Sequence, residues 1–142
     1  MLLLLGLAQA ATLTVGPAGT YAPIAAAEAA AAAGDVLEID AGTWAEPLRP
    51  AGKDLTYRST AGAVISVPGV DCLTVYAGEE VSIEGLTFDG CDHAVASAYS
   101  TIYATDCTFS DNSCQYGCAF DVDATDIVIE NSTFARNDAA IS

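Results

Sequence analysis

The chain of 142 residues carries nineteen Asp and Glu against four Lys and Arg, a formal charge of −15. That length fits one domain or part of one. Arg49, Lys53, Arg58 and Arg136 cannot build the basic patch that nucleic acid or an anionic lipid surface demands. At 52% hydrophobic the chain has material for a core, which excludes wholesale disorder.

Leu2 to Leu5, Gly6 and Leu7 form a short apolar run, followed by the small-x-small pattern Ala8-Gln9-Ala10. This predicts a signal peptide over residues 1–10, cleaved before Ala11, with a buried first strand as the alternative. The run is too short to span a bilayer, and no other segment reaches eighteen apolar residues. Export would bring the five cysteines into an oxidising compartment.

Thr12-Leu13-Thr14-Val15 alternates like a strand and stops at Gly16-Pro17. Ile24 to Ala33 is almost all alanine with Glu28 as its only charge, which predicts a helix. Pro23 fits its first turn and Gly34 its end. Lined with methyl groups, that helix suits close packing over a flat apolar end. Strand, helix and their connection make a unit over residues 11–34.

From Asp35 onward the period becomes two. Three segments align without gaps: Val81-Ser-Ile83-Glu-Gly-Leu86-Thr-Phe88, Ile102-Tyr-Ala104-Thr-Asp-Cys107-Thr-Phe109, and Ile127-Val-Ile129-Glu-Asn-Ser132-Thr-Phe134. Each ends in Thr-Phe, so Phe88, Phe109 and Phe134 mark successive repeats. Extending the register backwards picks up Leu55-Thr-Tyr57 and Leu37-Glu-Ile39. Ile39 to Ile129 then spans four intervals with a mean period of roughly 22 residues, within the range of repeat architectures. Ala94-Val95, Ala119-Phe120 and Ala140-Ile141 supply a third strand per repeat.

Such a period means a solenoid, and three short strands per repeat without intervening helices mean a β-solenoid. Residues 35–142 are therefore expected to wind into about five parallel coils, spaced ~4.8 Å apart. Ile83, Leu86, Phe88, Phe109, Ile127, Ile129 and Phe134 should point inward, and Thr87, Thr108 and Thr133 outward. Each coil buries its apolar face only against its neighbours.

Gly19-Thr-Tyr21, Ile24, Ala27, Ala29-Ala30, Gly34-Asp35, Ile39, Gly42-Thr-Trp44 and Glu46 resemble the N-terminal cap of right-handed parallel β-helix proteins of the pectin-lyase-like superfamily. In that family the helix covers the first coil. Phe109-Ser-Asp-Asn112 and Phe134-Ala-Arg-Asn137 are similar to repeats of the polymorphic outer-membrane protein type. Gly117-Cys118-Ala119-Phe120 resembles their second element, with Cys118 replacing a glycine. The resemblance covers residues 12–142. It implies the fold but no single activity, since the superfamily holds lyases, hydrolases, adhesins and inert stalks.

Asn112 and Asn137 occupy one repeat position and are expected to form a structural ladder at a coil corner, bonding the turn backbone and each other. Asn131-Ser-Thr133 is a formal glycosylation triplet that falls inside a strand-turn-strand unit. Cys107 aligns with Leu86 and Ser132, so it should be a free, buried thiol. Cys72, Cys91, Cys114 and Cys118 then permit three connectivities. The expected pairing is Cys72–Cys91 between coils and Cys114–Cys118 within one corner. The rival is zinc held by Cys91, His93, Cys114 and Cys118.

Asp121-Val-Asp123 with Asp126 is the densest acidic run. Alternation puts Asp121 and Asp123 on one outer face, ~6.6 Å apart, a solvated surface or a weak calcium site. Arg136 should meet Asp111 across one coil step in an exposed ion pair. Arg49 and Arg58 lie about three coils from the acids, and neither pectate-lyase-like nor polygalacturonase-like catalytic sets assemble in the sequence. His93, the only histidine, stands at a corner and is expected to face solvent.

The reading is an exported, non-catalytic β-helix at the cell surface or secreted, outer-membrane-associated. Its role is structural or adhesive, and its outer faces bind carbohydrate or a surface protein. The alternative is the N-terminal part of a polysaccharide lyase or hydrolase. Ile141-Ser142 falls inside an apolar strand, so missing coils or a second copy are expected to cover that end.

Overall fold

The structure, a computed structural model, describes residues 9–115, 118–138 and 141. The proposed signal peptide lies largely outside them, as do Gly117 of the Gly-Cys-Ala-Phe element and Ala140. Strand β1 (Thr12–Val15) leads to helix α1 (Ile24–Ala30). There follow β2 (Val36–Ile39), β3 (Gly42–Trp44), β4 (Thr56–Arg58), β5 (Ala63–Ile65) and β6 (Leu73–Val75). Two further coils hold β7 (Glu80–Glu84), β8 (Thr87–Asp89) and β9 (Val95–Ala98), then β10 (Thr101–Thr105), β11 (Thr108–Ser110) and β12 (Phe120–Asp123). The last described strands are β13 (Asp126–Glu130) and β14 (Thr133–Ala135).

Every pairing among these strands is parallel and joins one coil to the next. The first sheet runs β1-β2-β4-β7-β10-β13, the second β3-β5-β8-β11-β14 and the third β6-β9-β12. Leu48 and Ile141 extend the third sheet at either side by single parallel bridges to Leu73 and Phe120. The chain is thus a β-solenoid of about five turns.

Phe88, Phe109 and Phe134 share one register and stack with ring centroids 5.5 and 5.0 Å apart. Phe120 meets Phe109 edge-on at 4.9 Å from the third sheet, closing the core between the faces. Ile83, Leu86, Phe88 and Phe109 are buried. Ile127, Ile129 and Phe134 point into the same columns but lie in the last described coil, covered from one side, and remain partly exposed.

One register differs from expectation. The column through Ile129, Ala104 and Ile83 continues to Tyr57 and Leu37, not to Ile39. Successive members of that column are unequally spaced along the chain, so no constant period exists to extrapolate. The corners absorb the differences in length while the strands keep their hydrogen bonds.

In the later coils those corners turn on single residues in the left-handed region. Gly85, Asp106 and Asn131 (φ 65°, 55° and 50°) stack at the corner between the first and second sheets. Gly90, Asp111 and Arg136 stack after the second sheet, and Gly78, Tyr99 and Ala124 after the third. At Gly85 a side chain is excluded on space as well, because a Cβ there would lie 2.4 Å from the Ser59 carbonyl oxygen.

Helix α1 is shorter than its alanines predict. The buried carboxylate of Asp35 accepts the Ala32 N–H at 2.8 Å and the Ala11 N–H at 2.8 Å, which draws the chain out of the helix after Ala30. Pro23 is the N-cap rather than a first-turn residue, and Glu46 supplies the missing acceptor by taking the Ile24 N–H at 3.2 Å. The helix packs against β1 and β2. Glu28 enters the interior, where its Oε1 accepts the Tyr57 hydroxyl at 2.8 Å and the Arg49 N–H at 2.6 Å. Burial pushes its carboxyl upward, against the lowering effect of those donors.

The phenylalanine column carries a graded prediction. Phe109→Ala, at the centre, should cost about 3–5 kcal/mol, whereas Val128→Ala on the outer surface should stay within about 0.5 kcal/mol. Chemical denaturation measures both, and equal losses would contradict the stacking.

Candidate functional site

The asparagine ladder forms as expected. Asn112, fully buried, donates from Nδ2 to the Phe88 carbonyl at 3.2 Å and to Asn137 Oδ1 at 2.8 Å. Its own Oδ1 accepts the Cys91 N–H at 2.9 Å, and Asn137 Nδ2 reaches the Phe109 carbonyl at 2.9 Å. Asn112 and Asn137 are not themselves the left-handed residues of this corner, however. Asp111 and Arg136, one position earlier, take that conformation, and the amides satisfy the backbone groups the turn leaves over. Ser132 Oγ likewise donates to the Glu130 carbonyl of its own corner at 2.9 Å and accepts the Cys107 N–H of the preceding coil at 3.1 Å, so the Asn131 triplet is built into the coil.

Cys72 bonds Cys91 across one coil step and Cys114 bonds Cys118 within a corner. Cys107 is the free cysteine, buried, and burial pushes its thiol upward. The thiolate zinc set is thereby corrected: Cys91, Cys114 and Cys118 are oxidised and offer no thiolate. Arg136 forks onto Asp111 with bonds of 2.7 and 2.5 Å, an exposed pair that holds the Asp111 carboxyl below its usual range.

Asp121 and Asp123 do lie on one exposed face of β12, but Asp126 opens β13 in a different sheet. The three do not form a close ligand set. Among the described residues, the set of metal-capable groups whose ligand atoms all lie within 4.8 Å of one another is Asp71, Asp92 and His93. It sits at the entrance to the third sheet.

His93 does not face solvent. Its Nδ1 bonds Asp71 Oδ1 at 2.6 Å, and its Nε2 lies 3.8 Å from Asp121 Oδ2. Partial burial disfavours the imidazolium. The hydrogen bond to Asp71 and the charges of Asp71, Asp92 and Asp121 outweigh it and raise the histidine above its ordinary value. Nothing in the sequence announces this grouping, because its members come from three coils. Stacking at strand spacing brings Asp71, Asp92-His93 and Asp121 together.

The same face carries a groove of about 400 Å³ lined by Arg49, Ala51, Gly52, Thr74, Tyr76, Ala77 and Glu79. Glu79 is buried and accepts the Gly52 N–H at 2.8 Å and the Ala77 N–H at 2.6 Å, so it shapes the wall. Arg49 is fixed by bonds to the Leu48 and Asp71 carbonyls at 2.8 and 2.9 Å. It is three coil steps from Asp121, as expected, yet the Asp71 carbonyl connects it to the histidine cluster. Tyr76 is 56% exposed. Burial, with the Asp71 and Asp121 charges beside it, holds its phenol protonated against the opposing pull of Arg49.

No family model, curated protein or solved structure matches the chain. No helix among the described residues is long and apolar enough to cross a membrane, which leaves strand-built membrane spans unaddressed.

Two measurements check this arrangement. Alkylation of the unfolded, non-reduced protein should label one thiol, Cys107, and five labels would refute the pairing. In a pH titration by NMR, His93 should titrate above the usual value of ~6.5, and Asp71→Asn should lower it. A raised folded value means that this contribution to stability is complete below the unfolded value and is lost as pH rises through the folded one.

Proposed function

We propose that the chain is an exported, non-catalytic β-helix module with an adhesive role at the cell surface, binding carbohydrate along the outer face of the third sheet. The groove beside Tyr76 carries this reading. An exposed phenol gives a flat apolar face and a hydroxyl at its rim, the pairing that suits a sugar ring with C–H groups on its faces and hydroxyls at its edge. Thr74 adds a second hydroxyl-bearing side chain, and Arg49, held at both terminal nitrogens, presents a fixed positive charge. The formal charge of −15 repels acidic polysaccharides, so a neutral glycan is the fitting ligand. Two disulfides support export into an oxidising compartment.

The cluster of Asp71, His93 and Asp121, joined to Arg49 through the Asp71 carbonyl, is what favours the other reading, the N-terminal part of a pectate-lyase-like lyase or a glycoside hydrolase. Calcium-dependent release of unsaturated products from polygalacturonate would decide for it.

Titration of the ¹⁵N-labelled protein with neutral gluco-, xylo- and galacto-oligosaccharides tests the binding reading. One series should shift amides around Thr74, Tyr76 and Ala77, and Tyr76→Ala should weaken that binding at least tenfold, about 1.4 kcal/mol. Binding indifferent to Tyr76→Ala, or no shifts with any series, would refute it.

A further inference from the structure

We propose that Asp71, Asp92 and His93 bind a zinc-class divalent transition-metal ion at the entrance to the third sheet, with Asp121 orienting the histidine. The donor set is the first reason. One imidazole and two carboxylates suit a transition-metal ion, whereas calcium wants six to eight oxygens. Zinc ligands ~2.1 Å from the ion stand about 3.4 Å apart at the tetrahedral angle. The three ligand atoms already lie within 4.8 Å, so side-chain shifts under ~1 Å each close the set.

Preorganisation is the second reason, and it is independent of the donors. Asp71 directly precedes Cys72, while Asp92 and His93 directly follow Cys91, and the Cys72–Cys91 disulfide ties these two segments together. Two backbone bonds flank it, Cys72 N–H to the His93 carbonyl at 2.9 Å and Asp92 N–H to the Val70 carbonyl at 3.0 Å. The ligand-bearing backbones are thus fixed on adjacent coils before any ion arrives, which lowers the ordering cost of binding.

The ring orientation is the third. Asp71 faces Nδ1 and Asp121 faces Nε2. An ion between Nδ1 and Asp71 displaces the proton now shared there to solvent. Asp121 Oδ2 lies 3.8 Å from Nε2, and a shift of that exposed carboxylate of under ~1 Å would complete the carboxylate–histidine–metal relay that fixes a ligating imidazole.

The test uses the oxidised, untagged protein titrated with Zn²⁺, Co²⁺ and Ca²⁺ alone. Because His93 is the only histidine, its imidazole NMR signals report coordination without assignment. Zn²⁺ should shift them at one equivalent, and Co²⁺ should give a visible ligand-field band. Asp71→Asn and Asp92→Asn should each weaken Zn²⁺ binding at least tenfold, and Asp123→Asn should not. Unmoved His93 signals up to about 1 mM Zn²⁺, full affinity in both asparagine variants, or Ca²⁺ competing as an equal would overturn the site.

Discussion

The whole molecule depends on one constraint: each strand hydrogen-bonds its counterpart in the next coil, in parallel and in register. Parallel pairing satisfies the backbone of every interior coil without any hairpin, and it forces equivalent side chains into columns. The phenylalanine stack, the asparagine ladder and the outward threonines all follow from that translation. So does the corner chemistry. Once strands are fixed at short length, three sharp turns per coil are required, and single left-handed residues provide them. In the later coils these residues are not glycine, and the strain at Tyr99, Asp106 and Asp111 is offset by the bond each N–H makes to the coil beyond.

Toward the N-terminus the alanine helix packs against the first two strands, β1 and β2. Small side chains let its backbone approach β1 and β2, but methyl groups alone would not fix its position. Glu28 does, by bringing one acceptor to the Tyr57 hydroxyl and the Arg49 amide at once. That bond also reaches outward: Arg49 is held in the groove wall by a residue of the helix, so the seating of the helix and the shape of the third-sheet face are coupled.

The fold was legible because it is written as recurrence. Alternation gave the strands, the aligned Thr-Phe pairs gave the register of the last three coils, and the exclusion of inward-pointing Cys107 led to the right disulfides. Extrapolation failed toward the N-terminus, where Leu37 and not Ile39 continues the column. Corner lengths vary between coils, and nothing local records the slip. The helix end was misjudged because Asp35, acting through space, outweighs alanine propensity. The histidine cluster was invisible for a related reason. Asp71 and Asp121 each belong to a different coil from His93, one before it and one after, and only winding makes them neighbours. Function grew less legible in the same measure, since a face assembled from several coils has no linear motif.

The most direct test of the winding is a nuclear Overhauser spectrum of the ring protons of Phe88, Phe109 and Phe134, recorded with the Hα protons of β7, β10 and β13. Stacked coils predict ring-to-ring cross-peaks from Phe109 to both of the others, at centroid distances of 5.5 and 5.0 Å. They also predict the long Hα–Hα separations of parallel pairs. Strong Hα–Hα cross-peaks between those strands, the mark of antiparallel pairing, or rings that share no cross-peak, would contradict the account.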